Sequence, residues 1–247
     1  MRSIYLLLLA TLCGCSGYQY VASPHYVPLN TEKGHLKANL SHNHAQAGYS
    51  VGNHIALFST AYWRRSESFP FASTGKQYSD NHTYDDNAYE INGGASYFMT
   101  HKQFVYELHL GGGGGKISYS SHDEDKYYIE MDAHRANLFL QPSFGYRTGN
   151  MEVGGFSRFI GYRYHNLRVT GSLPERMDTY DRYFTNRDAR NIYFAEPGAF
   201  IRLGGPWLKF HALASFPISL QSENVRYRSG NLYMGFFLNL DILKNRR

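Results

Sequence analysis

The sequence predicts an all-β fold, an antiparallel up-and-down transmembrane β-barrel of about ten strands. Three observations carry that expectation. Segments that alternate between apolar and polar residues recur along the chain, and helical spacing explains none of them as well. Several of these segments are long enough to match the ~9–11 tilted residues of a bilayer crossing, whereas strands of water-soluble domains average about 5–6. The connections between them alternate in length, tight turns at one end and longer polar stretches at the other, as in outer-membrane barrels. Composition agrees. Among 247 residues only 18 % are charged, 16 % are aromatic, Tyr occurs 22 times and Gly 24 times, which favours tyrosine-rich β structure over a helical enzyme.

The first element is a leader. Met1-Arg2-Ser3 is a short basic start, and Ile4 to Leu12 is an apolar run of signal-peptide length, too short to span a bilayer. It ends in Leu12-Cys13-Gly14-Cys15, which holds both cysteines of the chain. This resembles a bacterial lipobox, with Leu12 and Gly14 as the signal-peptide recognition residues and Cys15 as the acceptor. The resemblance implies that Cys15 carries a diacylglyceryl thioether and, after cleavage, an acyl chain such as palmitate on its new amino terminus. Several acyl chains anchor durably, because each buried CH₂ contributes about 0.8 kcal/mol. The alternative is an ordinary secretory leader that takes both thiols away. Either way, no disulfide is expected. The division is 1–14 lipoprotein signal peptide, 15–34 lipid-anchored tether, 35–247 barrel. The tether reading rests on two prolines and no clear periodicity in Tyr18 to Lys33.

Ten strands are expected at about 35–43, 45–51, 54–66, 86–100, 103–119, 127–146, 150–165, 190–203, 207–217 and 230–243. Tight turns are Gly52-Asn53, His101-Lys102, Thr148-Gly149 and Gly204-Gly205-Pro206; long connections are 67–85, 120–126, 166–189 and 218–229. The last strand is clearest, with Leu232, Met234, Phe236, Leu238, Leu240 and Ile242 on one face and Tyr233, Gly235, Phe237, Asn239 and Asp241 on the other. In the sixth, Ile129 and Met131 share one phase while Leu138, Leu140 and Phe144 share the other, which predicts a bulge near His134-Arg135.

Alternation alone does not say which face meets water. A periplasmic or surface sandwich, or a lipocalin-like barrel, would turn the charges outward. Long strands, mid-strand charges of both signs and tyrosines near strand ends favour the reverse, apolar side chains facing lipid and charges facing the lumen. The predicted lumenal network sets Glu90, Glu107, Glu130, Asp132 and Glu196 against Arg158, Arg202 and Lys209. The stretches HYVPLNTEKGHLKANL, AQAGYSVGNHIAL and FAEPGAFIRLGGPWLKFHALASFP resemble a group of uncharacterised Bacteroidetes outer-membrane β-barrel lipoproteins. That resemblance implies a lipid-anchored barrel at the bacterial outer membrane and transfers no catalytic residue. Where other members read EKGE, His35 follows Gly34 here.

Motifs for chemistry fare poorly. GGGGGKIS lacks the Gly six residues before Lys116 and the Ser or Thr after it that a phosphate loop needs, so Gly111 to Gly115 are expected to let the strand bend. His42, His44 and His54 lack an evident further metal ligand. The acidic Ser121 to Asp125 lacks the spacing of a calcium loop. Ten strands is also the count of omptin-type proteases, for which Asp85, Asp86, His122, Asp123 and His165 could fall at the rim, though no omptin motif surrounds them. The longest connection carries Arg176, Arg182, Arg187 and Arg190 with Asp178, Asp181 and Asp188, and reads as a self-paired lid or a partner surface. The net charge of +5 is spread along the chain, so no nucleic-acid partner is expected.

The expected function is therefore structural or accessory: a lipid-anchored barrel with a side-chain-filled lumen. No catalytic residue, metal or cofactor is expected beyond the lipid on Cys15. Its partners are outer-membrane lipid and a membrane protein met by the long loops. A narrow channel, a small-ligand binder, a soluble lipoprotein domain and a rim protease are the alternatives.

Overall fold

The computed structural model describes Tyr20 and residues 22–64, 82–123, 127–172, 191–221 and 230–240. Eleven strand segments follow: β1 (Leu36–Leu40), β2 (His44–Ser50), β3 (Ile55–Arg64), β4 (His82–His101), β5 (Phe104–Asp123), β6 (Tyr127–Arg147), β7 (Met151–Ser172), β8 (Asn191–Gly204), β9 (Leu208–Ser215), β10 (Ile218–Ser219) and β11 (Asn231–Asn239). From β1 to β8 each pairs antiparallel with the next in sequence, β10 pairs with β8, β11 pairs with β9, and β11 pairs with β1 to close the ring. The segments β9 and β10 are one strand interrupted at Phe216-Pro217. Gly198 faces Ser215 and Ala195 faces Ile218, so the register against β8 does not change. Phe216 still donates to the Pro197 carbonyl at 2.9 Å, and only Pro217, which has no N–H, drops out of the ladder. The molecule is thus a closed ten-strand up-and-down barrel, as the alternation predicts.

One rim carries the tight turns. Gly52 bonds to Ile55 and Thr148 to Met151 across them, and at the same rim the Asn239 N–H donates to the Trp207 carbonyl between the ends of β11 and β9. Gly204, at φ 150°, sits where a Cβ would come within 2.6 Å of the Leu208 carbonyl oxygen, so only glycine fits. The opposite rim is formed by strand ends at Arg64, His82, Asp123, Tyr127, Ser172 and Asn191. The wall is lopsided. Strands β4 to β7 run 20 to 22 residues, whereas β1, β2, β9 and β11 run 5 to 9.

Side-chain parity sorts the two faces. Leu57, Ile91, Leu108, Leu110, Leu140, Phe210, Leu232 and Phe236 are among thirty-one large apolar side chains exposed on the outer surface of the described residues. Inside lie Glu90, Glu107, His109, Arg135, Glu152, Arg158, Glu196, Arg202, Lys209 and His211, all buried. A core of charges under an apolar surface is the reverse of a soluble barrel.

Three expectations need correction. First, β6 has no phase flip. Its odd residues Ala133, Arg135, Asn137 and Phe139 point inward without a break, and its register with β5 is continuous. The irregularity lies in β7, where His165 to Arg168 spans three steps against two from Asp132 to His134. Asn166 there adopts a left-handed φ of 51°, which Asn tolerates better than most residues. What looked like a flip is one outward face passing from polar Glu130, Asp132 and His134 to apolar Leu138 and Leu140. Second, parts of the predicted long connections are strand, at 82–85, 120–123 and 166–172. The ladder continues there although the outward face turns polar, so the apolar marker ends before the strand does. Third, residues 22–30 are no solvated tether; every one of them is buried inside the barrel.

Candidate functional site

Among the described residues, the buried charged and polar groups gather in the lumen. It is filled by Tyr20 and residues 22–30, which run from the turn rim toward the other end. Next to the turn rim, Glu107 on β5 accepts the backbone N–H groups of Leu29 at 3.0 Å and Asn30 at 2.8 Å. Lys37 on β1 donates to the Leu29 carbonyl, and Arg202 on β8 to that of Val27. Further in, Gln141 donates to the Tyr26 carbonyl at 2.8 Å and Gln46 to that of Pro24 at 2.8 Å. Arg158 reaches the Ser23 carbonyl at 2.9 Å and its hydroxyl at 3.2 Å, and Tyr233 donates to the Ala22 carbonyl. Tyr20 ends the segment, its ring stacked on Phe194 with centroids 3.9 Å apart.

This pattern follows from the chemistry of an extended segment. Residues 22–30 form no strand ladder, yet an unpaired buried backbone group costs about as much as a lost hydrogen bond. Donors arriving from six different strands satisfy the carbonyls one by one. Pro24 and Pro28 help, since each removes a backbone donor that the wall would otherwise have to meet.

Around the segment the charges pair in three groups. Glu90 lies 2.7 Å from Arg135 and also accepts bonds from Asn92 at 2.8 Å and the Tyr162 hydroxyl at 3.1 Å. Glu196 takes Arg158 Nε at 2.6 Å and stands 2.8 Å from His25 Nε2. Glu152 gathers Arg202 at 2.9 Å, Lys209 at 2.8 Å and Arg147 at 3.3 Å. Arg202 also stacks over the Phe237 ring at 3.8 Å, which shields its planar face. Between segment and wall lies a cavity of about 10 Å³ beside Tyr26, Asn92, His109 and Arg158, at the lower bound for a single water.

Of the predicted network, Glu90, Glu107, Glu196, Arg158, Arg202 and Lys209 line the lumen. Glu130 and Asp132 do not, because their even parity on β6 puts them on the outer wall. Asp132 is 51 % exposed in its side chain and pairs with Ser118 at 2.6 Å and Lys116 at 2.9 Å. The Ser118 hydroxyl and then Lys116 hold its carboxyl below the usual aspartate range. Sequence reasoning missed Lys37, Arg135 and Glu152 as lumenal partners, and His25 altogether. Glu152 was legible, since it shares parity with Arg158 in Met151 to Phe159. The segment left only a compositional trace: Tyr20 to Asn30 is largely aromatic and apolar, with no Gly, Lys, Arg, Asp or Glu, unlike a flexible linker.

Other candidates do not assemble. His44 is buried edge-on to Tyr233, whereas His54 sits at the turn rim on the Phe98 carbonyl. Among the described residues no group of three His, Cys, Asp or Glu stands close enough to share an ion. His165 is exposed on the outer wall opposite His134. Register leads from Asp85 through Ser120 and Glu130 to Thr170, five residues beyond His165 on β7, so the two do not meet. Strand β5 is continuous through Gly111 to Gly115; at Gly113 a Cβ would come within 2.0 Å of the Ile91 carbonyl oxygen, so this glycine serves close approach of β4. Leu12, Gly14, Cys15, residues 124–126 and residues 173–190 lie outside the described residues.

No family model matches the chain, and no curated protein or solved structure matches it.

Proposed function

We propose that the protein is a lipid-anchored outer-membrane barrel that acts as a closed structural or accessory subunit, its own amino-terminal segment serving as the plug. It belongs with the uncharacterised Bacteroidetes barrel lipoproteins that its sequence resembles. The observation that carries this reading is the pairing of an apolar exterior with a lumen sealed by residues 20–30. On β4 the outward apolar run goes from Tyr89 to Met99, about 33 Å along a strand and about 25 Å in height at a tilt near 40°. That is the height of the apolar band of an outer-membrane barrel. In water, thirty-one exposed large apolar side chains, each forgoing about 1.5–3 kcal/mol of burial, would drive aggregation. Lipid removes that cost. A sealed lumen leaves recognition to the outer surface and the loop rim, which is where a membrane-protein partner would be met.

The purified chain reconstituted in planar bilayers is expected to give no steady conductance steps, and to migrate faster on a detergent gel unboiled than boiled. Large open-channel steps from the intact protein would overturn the closed-subunit reading. A mature chain without its acyl group that remained monodisperse in plain buffer would overturn the membrane reading.

A further inference from the structure

The plug has a direction. It enters from the turn rim, where residues 31–35 lead into β1, and Tyr20 is its far end. Phe194, on which Tyr20 stacks, is ten residues along β8 from Gly204 at the turn rim and three from Asn191 at the other. Ten strand residues at that tilt correspond to about 25 Å of height, and three to under about 10 Å. Cys15 is five residues before Tyr20, a leash of at most about 17 Å even fully extended. It falls short of the turn rim, and the lumen it would have to re-enter is already full.

The wall near the exit is low. Tyr233 of β11 holds the Ala22 carbonyl, and β11 neighbours β1, which in turn pairs with β2, the two shortest strands in the ring. The β1–β2 turn lies level with Trp63, whose backbone N–H and indole N–H donate to the carbonyls of Asn43 and His42 at 2.9 and 3.0 Å. Trp63 is an exposed aromatic at the upper edge of the apolar band, level with Tyr89, its partner on β4. At this side the rim therefore stands at the membrane surface, within reach of the leash.

We infer that the amino terminus emerges at the rim opposite the tight turns, so that the acyl chains on Cys15 insert into the outer leaflet over the low wall of β11, β1 and β2. The lipid anchor then sits on the cell-surface side, held there by a threaded segment, and the barrel wall must close around that segment during assembly. This inference rests on the lipoprotein reading of Cys15, and the two are separable by experiment.

A short protease-cleavable epitope inserted between Gly17 and Tyr18 of the full-length chain, and a second one appended after Arg247, provide the test in a Gram-negative host. Heat-modifiable migration checks that the tagged barrel folds. On intact cells, added protease is expected to remove the first epitope and leave the second, which follows from the turn-rim end of β11. Mass spectrometry of the released amino-terminal fragment is expected to show the diacylglyceryl and acyl groups, absent after Cys15→Ser. An acylated fragment released only after the outer membrane is permeabilised would overturn the inference while leaving the lipoprotein reading intact. A fragment without acyl groups would overturn the lipoprotein reading, and with it the outer-leaflet anchor, wherever the epitope proves accessible.

Discussion

Leu140 and Asp132 leave the same strand on the same side, four pairs of residues from turn rim to tip apart in character though not in parity. The first lies within the apolar band and the second above it, so the pair tests where hydrocarbon would stop on the proposed membrane reading. Leu140→Arg is expected to cost about 2–4 kcal/mol of folding free energy in lipid vesicles, whereas Asp132→Leu removes only a surface pair worth about 0–1 kcal/mol. Denaturant titrations in vesicles read both; equal effects would mean that the outer face does not lie in lipid. Inside the barrel the sign of the argument reverses. Glu196→Ala strands Arg158 and His25 in a fully buried site, and breaking such a buried pair costs about 3–5 kcal/mol. Replacing Arg158 and Glu196 together with Met is expected to cost less than the single change, because no lone charge is left behind. The temperature at which the unboiled band gives way to the unfolded one reports both. A double variant that melts below Glu196→Ala would show that the Arg158 contacts to Ser23 outweigh the ion pair.

Among the elements, the plug is the one whose removal separates wall from filling. Without residues 20–30, Glu107 loses two N–H donors, and Lys37, Gln46, Gln141, Arg202 and Tyr233 lose their carbonyls. A chain lacking them is expected to fold with a lower melting temperature, and a synthetic peptide of the sequence YVASPHYVPLN added during refolding is expected to restore it. Melting indistinguishable from the intact protein would mean that the segment does not support the wall. The strands themselves were legible because a two-residue period with apolar residues on one phase survives any choice of inside and outside. The upper ends of β4 and β5 were not, since His82 to Asp85 and Ser120 to Asp123 are polar on nearly every position and the apolar period leaves no trace there. The plug escaped for a different physical reason: its backbone bonds go to side chains scattered over seven strands, and no local pattern encodes partners so distant in sequence. Likewise the network around Glu152 depends on which strands the ring brings together. The alternation put Arg202 and Lys209 on the lumenal face, but only the closed register sets Arg202 opposite Glu152.

Considered whole, the barrel is a short ring on one side and a tall curved sheet on the other. From Tyr89 upward, β4 to β7 continue into water as a four-stranded sheet, as far as His82, Asp123, Tyr127 and Ser172. Within the apolar band each strand is held by two neighbours and by the packed lumen on one face, and on the proposed membrane reading by lipid on the other. Above it the ladder remains, but Lys116, Ser118, Glu130 and Asp132 lie on the outer face, and among the described residues no strand stands opposite to pack against the other. Sheets without a buried face are marginal, and opening free energy falls toward zero where few apolar contacts back the backbone bonds. Native-state hydrogen exchange in detergent micelles is therefore expected to run as a gradient along single strands. Amides from Phe104 to Gly111 on β5 should be the slowest, and those from Ser118 to Asp123 faster by orders of magnitude, with the step near Lys116. If the upper amides proved equally protected, a partner or a packed loop must cover the tall sheet, and that face would become the interaction surface to map. If the gradient holds, stability resides in the band and the plug, while the tall sheet is a projecting platform whose ordering is available to be supplied by whatever binds it.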